Sequence, residues 1–193
     1  QEMADWLKTQ GADAAVLAAL DSIAWTFNVR GQDVDHTPVA LSFAVVHADG
    51  TADLFVASEK IGDHVRQHLG NGVRLHERFA FEPWLATLGD KAVVVDPERS
   101  VAAIFGALEQ AGARVVARRD PAVLPKAIKN PVEIAGHKAA QARDGAALVR
   151  FLHWLSVEAP KGGVDEPGAA AKLHEFRQAG GDLRDLSFDT ISG

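Results

Sequence analysis

Apolar and polar positions change their period several times before Asp120, and each change marks an element. Met3, Trp6 and Leu7 share one helical face, and Gly11 ends that helix. Ala14-Ala15-Val16-Leu17 is an apolar run of strand length. Asp21-Ser22 is placed to cap a short helical turn that carries Ile23, Trp25 and Phe27. From Val39 to Val46 the period is two. Val39, Leu41, Phe43 and Val45 fall on one face, and Ala40, Ser42 and Ala44 fall on the other, where small side chains let a helix approach closely. Asp49-Gly50 signals a turn, and Ala52 to Val56 returns antiparallel.

Ile61, Val65 and Leu69 line the next helix, which Gly70-Asn71-Gly72 stops before a strand at Val73 to Leu75. Phe81, Trp84, Leu85 and Leu88 fit another short helix, with Pro83 tolerated in its first turn. Ala92-Val93-Val94-Val95 is uninterrupted and apolar, as expected of a central parallel strand. Ser100 is placed to cap a helix that turns Val101, Ile104, Phe105 and Leu108 inward; Gly112 ends it and Ala113 to Ala117 is the next strand. This βαβ unit should be parallel and right-handed. The fold class is therefore α/β, a mixed sheet flanked by helices that ends near Asp120-Pro121.

Beyond that point the pattern is helical. Asn130 can cap, Pro131 suits the first helical position, and Glu133 can reach back to close a capping box. A long helix is expected to about Ala159, with a stripe of Ala135, Ala139, Ala142, Ala146 and Val149 widened by Leu148, Leu152 and Leu155. Gly145 is its weak point. Pro167 opens a further helix with Leu173 and Phe176 inward, closed by Gly180-Gly181. Leu186 to Ile191 reads as the start of a strand with no partner. Two helices and half a strand cannot close a core alone. That, with a first residue Gln1 in place of Met, leads to the expectation of a chain cut from a longer one; a helical tail packed on the first domain is the alternative.

Composition narrows the function classes. Of the 193 residues 47% are hydrophobic and 24% charged, which is globular composition. There is no cysteine, so disulfides, thiolate metal sites and cysteine nucleophiles are excluded, and a cytoplasmic setting is expected. The net charge of -6, with no basic run, argues against nucleic acid as a partner. No apolar stretch has the length of a membrane span.

The chemistry-bearing residues are scattered. His64 and His68 are four apart on a helix and share a face, but a solvated face explains them better than a metal. His76-Glu77 and His174-Glu175 are isolated pairs expected at the surface. His153, beside Trp154, reads as a packing histidine. His36 and His47 flank the best strand, and Asp33, Asp35 and His36 make only a weak ligand set. No G-x-G-x-x-G, Walker loop or G-x-S-x-G is present. Arg30, in Asn28-Val29-Arg30-Gly31, is displayed on a constrained loop, for a functional contact or for an interdomain salt bridge.

Three ordered motifs resemble one family. Asp21-Ser22-Ile23-Ala24-Trp25, then Asn28-Val29-Arg30-Gly31, Asp33-Val34 and His36-Thr37-Pro38-Val39, is similar to the middle domain of three-domain Xaa-Pro aminopeptidases, with Thr26 where leucine is usual. Lys129 to Ile134 and Arg143 to Leu155 resemble the first long helix of their catalytic domain, and Leu186 to Gly193 resembles the segment just before the active site. The resemblance implies that residues 1–128 are a creatinase N-terminal-like α/β domain. Residues 129–193 would begin a pita-bread metallopeptidase domain. It implies a hydrolase that removes the residue preceding a proline from a peptide's N-terminus, with two metal ions, manganese as a rule, and a homodimeric assembly. The family's ligands, two aspartates, one histidine and two glutamates, would all fall after Gly193. The expected catalytic and metal lists for this chain are thus empty, no cofactor is expected in it, and the chain alone is expected to be inactive. Arg30 and His36 are expected at the substrate-access or interdomain rim. A catalytically dead binding or dimerisation module, and a piece of a creatinase-type hydrolase that is not a peptidase, are the competing readings.

Overall fold

A computed structural model describes residues 1–191. The chain divides into two compact units, Gln1–Ile128 and Lys129–Gly193. In the first, six strands form one mixed sheet: β1 (Ala14–Leu17), β2 (Ser42–His47), β3 (Ala52–Val56), β4 (Val73–His76), β5 (Ala92–Val95) and β6 (Arg114–Ala117). Their order is β4-β3-β2-β1-β5-β6. The β1–β2 and β2–β3 pairs are antiparallel, and the β1–β5, β5–β6 and β3–β4 pairs are parallel. Central β1 and β5 are apolar throughout and buried throughout, which is what burial on both faces requires.

Alternation along the strands supplies two cores. On one face Leu17, Ala44, Val46, Leu54 and Val94 pack with Leu7 of α1 (Glu2–Thr9) and with Ile23 and Phe27 of α2 (Leu20–Phe27); Leu69 of α3 (Asp63–Leu69) packs against the same cluster. Ser42 and Ala44 are the small side chains that the sequence leads one to expect under a helix. On the other face Val16, Val45, Phe55, Val93 and Val95 meet Phe81 and Trp84 of α4 (Phe81–Trp84). They also meet Leu85 and Leu88 in the 3-10 turns after α4, and Ile104 and Leu108 of α5 (Ala102–Gln110). A short α6 (Val123–Ala127) follows β6. Asp96, at the end of β5, accepts the Glu98 and Asp120 backbone N–H groups at 2.9 and 2.8 Å and so ties the loops after β5 and β6 together.

Several boundaries differ from the pattern reading. Residues 39–41 stay outside β2 because loop contacts already use their backbone. Asp33 N–H donates to Val39 O, Gly31 N–H donates to Pro38 O, and Leu41 N–H donates to the Asp33 carboxylate. Helix α2 starts before Asp21-Ser22, with Ala19 at the cap; Ser22 is buried inside it and its hydroxyl has no hydrogen-bond partner among the described residues. Ser100 does not cap α5 either. Val101 takes the cap position, 64% exposed, and the Ser100 hydroxyl is buried without a partner among the described residues.

In the second unit α7 runs Pro131–Glu158 straight through Gly145. Its capping box is complete: the Asn130 side chain accepts the Glu133 N–H, and the Glu133 carboxylate accepts the Asn130 N–H, both at 2.8 Å. Helix α8 (Glu166–Ala179) is capped by Asp165 and packs antiparallel on α7. The seam is not the expected alanine stripe. Asp144, Ala147, Phe151 and Trp154 face α8, where Arg177 donates two hydrogen bonds to Asp144 and Lys172 lies over the Trp154 ring. Ala135, Ala139, Ala142, Ala146, Val149 and Leu152 are exposed. The side-chain contacts that cross this seam are the Arg177–Asp144 ion pair and Lys172 over Trp154. The expected strand at Leu186 to Ile191 does not form, since an extended segment without a neighbour has no ladder to join. Ser192 and Gly193, the end of the third motif, lie outside the described residues.

Candidate functional site

The densest polar group of the first unit sits on the α4 side of the sheet, centred on Asp53. Along β3, Ala52, Leu54 and Val56 point to one core, while Asp53 and Phe55 point to the other. Arg74 lies directly opposite Asp53 on β4, and His47 and His76 lie on its diagonals, two residues along β2 and β4. These are the positions from which cross-strand side chains meet. Arg74 donates from Nε to Oδ1 at 2.8 Å and from its terminal nitrogen to Oδ2 at 2.6 Å. The Nε2 atoms of His47 and His76 stand 2.7 and 2.6 Å from Oδ2 and Oδ1.

Four bonds use the full accepting capacity of an ionised carboxylate. Burial pushes the Asp53 carboxyl up, but the hydrogen bonds from His47, Arg74 and His76, and the arginine's charge, outweigh it and hold the group far below the ordinary carboxylate range. Since such a carboxylate only accepts, both imidazoles donate from Nε2. Phe55 stacks on His76 at 4.8 Å, and Trp84 closes over both. A carboxylate this saturated cannot take a proton from a substrate, so the cluster is a structural cage and not an acid/base pair. His76, expected at the surface, is instead half-buried in it, as is His47. The signal in the sequence was an acid on the inward face of Ala52 to Val56, in phase with Phe55.

Arg30 and His36 occupy the loop between α2 and β2. Asn28 ends α2 in the left-handed conformation at φ 49°, and Arg30 then turns back, its guanidinium donating to Ala24 O at 3.0 Å and Val29 O at 2.9 Å. Ala24 O belongs to the last turn of α2, where a cation is favoured. The loop returns so tightly that a Cβ on Gly31 would come within 2.7 to 2.8 Å of Ala40. Lys60 and the Leu41 N–H both reach Asp33, which holds its carboxyl below the usual range. His36 sits at φ 58° in the turn between bridged Val34 and Thr37. His68 is spent on Phe27 O at 3.0 Å, so it does not join His64 as a ligand. Among the described residues no three histidine, aspartate or glutamate side chains stand together as a metal's ligands, and no helix is long and apolar enough to cross a membrane.

Comparison with known proteins adds what this geometry lacks. The family model of the creatinase/prolidase N-terminal domain matches residues 1–133. Xaa-Pro aminopeptidase 1 of Dictyostelium discoideum is 35% identical over 100% of this chain, which covers 31% of that protein. A probable Xaa-Pro aminopeptidase P of Paracoccidioides brasiliensis (strain Pb03) is 37% identical over 92% of the chain, again with 31% of the relative covered. The crystal structure of an X-prolyl aminopeptidase from Caenorhabditis elegans, described as a cytosolic enzyme with a di-nuclear active site, superposes with a TM-score of 0.89 at 30% identity. All of this chain is matched there, and 32% of that one. The chain thus spans about a third of the length of the relatives it matches.

Proposed function

Given that the chain belongs to the creatinase/prolidase N-terminal domain family, we propose that it is part of a metal-dependent Xaa-Pro aminopeptidase, a hydrolase that releases the N-terminal residue from peptides whose second residue is proline. The observation that carries this is the end-to-end match to Xaa-Pro aminopeptidases: similarity continues through the helical second unit, beyond the matched family domain. Residues 1–128 act as the domain preceding the catalytic one, and residues 129–193 open the pita-bread domain. The C. elegans relative's di-nuclear centre and cytosolic setting favour two ions, manganese in this reading, and a cytoplasmic enzyme. Among the described residues no set of side chains fits a two-metal centre, and in this reading the chemistry lies in the rest of the parent enzyme. A homodimer is the proposed assembly.

Within this reading Arg30 and His36 line the substrate-access or interdomain rim; their place on a pinned loop supports it. The test is peptide hydrolysis by the complete enzyme loaded with manganese. Xaa-Pro-Xaa peptides should be cleaved before proline and their Xaa-Ala-Xaa counterparts spared; the opposite preference overturns the assignment. Arg30→Ala in that enzyme should lower kcat/KM for proline peptides by about tenfold, the order expected when one hydrogen bond from a charged group is lost. An unchanged kcat/KM leaves Arg30 only its hold on the end of α2.

A further inference from the structure

A cleft of about 440 Å³ opens beside the Asp53 cage, with Asp13, His47, Asp49, Trp84, Leu88 and Lys91 among its walls. Small-molecule sites run from about 300 to 1,000 Å³, so the volume suits a compact ligand. Four of these side chains are already held. Asp13 accepts the Ala92 N–H on Oδ2 at 2.8 Å. Asp49 accepts both the N–H and the hydroxyl of Thr51 on Oδ1. The His47 ring is held by Asp53, and Trp84 stands edge-on against Phe55 at 5.2 Å and 6.2 Å from His47. Side chains held before binding cost little to order.

The unused groups state what would fit. Oδ1 of Asp13 and Oδ2 of Asp49 take part in none of these bonds. The Lys91 ammonium makes no hydrogen bond or ion pair among the described residues, and the indole of Trp84 supplies an apolar wall that carries an N–H donor. A simple anion would meet two carboxylates here, and a simple cation would meet the lysine. A molecule bearing both charges on an apolar body complements all three. We propose that the cleft binds a small zwitterion with an apolar side chain, a free amino acid or a short peptide, carboxylate to Lys91, ammonium toward Asp13 and Asp49, side chain on Trp84. The site lies wholly within the first unit and does not depend on the aminopeptidase reading.

The test is an NMR titration of the 193-residue chain, whose four tryptophans give four indole N–H signals, that of Trp84 being assigned with Trp84→Phe. The probes are phenylalanine, alanyl-phenylalanine, N-acetyl-phenylalanine and phenylalaninamide. The Trp84 indole and the Lys91 amide should move with phenylalanine, with the dipeptide, or with both. Response to one alone identifies the free amino acid or the peptide as the source. Each capped form, lacking one charge, should bind about tenfold more weakly, and Lys91→Gln should weaken the zwitterion to the same extent, since each change removes a charge-assisted contact. Lys91 is exposed, so its variant should melt with the parent chain. Equal binding of the capped forms, full affinity in Lys91→Gln, or a still Trp84 signal with every probe overturns the proposal.

Discussion

Asp53 places a charge where the alternation of β3 leads one to expect an apolar side chain, and its neighbours on β2 and β4 make that tolerable. Remove the acceptor and three donors lose their common partner. Asp53→Ala should cost about 1–3 kcal/mol, the range for leaving buried polar groups unsatisfied, with Arg74 regaining water because it is half exposed. A urea titration monitored by near-UV circular dichroism reads this. The pH dependence has a defined sign. The folded carboxyl titrates below its unfolded value near 3.8, so its contribution is whole above about pH 4 and is lost as the pH falls through the folded value. The stability difference between the parent chain and Asp53→Ala should therefore shrink as the pH falls below about 4. A difference that grows as the pH falls below about 4 would contradict the cage.

Among the elements, α7 shows how firmly a local signal can be read and where such reading stops. Asn130, Pro131 and Glu133 are adjacent in sequence, so their capping box was legible from sequence and forms as expected. Asn130→Ala should weaken the start of α7 by about 1 kcal/mol, seen as faster amide exchange in its first turn while α5 exchanges unchanged. The seam with α8 was not legible. The face that meets α8 carries Asp144, which pairs with Arg177 across 33 residues of sequence. The late start of β2 has the same origin, because Asp33 and Gly31 claim the backbone of residues 38–41 from a distance in sequence.

For the molecule as a whole, both sheet-face cores are assembled from residues before Arg118. A chain ending at residue 128 should consequently unfold in one cooperative transition and keep the near-UV signature of packed aromatics; a gradual transition would mean that residues 129–193 complete the core. The chain spans about a third of the length of its relatives, and its described residues hold a domain core, a helix pair and a polar cage.

The sequence by itself determined the six strands of the sheet, its mixed character with helices on both faces, the cap of α7, and the family, because each rests on short-range periodicity or on contiguous motifs. Tertiary structure alone decided that His47 and His76, read as end-of-strand and surface residues, converge on Asp53. It also decided that Arg30 turns back onto the end of α2, and which stripe of α7 is covered. Those outcomes depend on strand register and helix rotation, where a shift of one residue exchanges inside for outside, and no local pattern encodes the partner that selects between them.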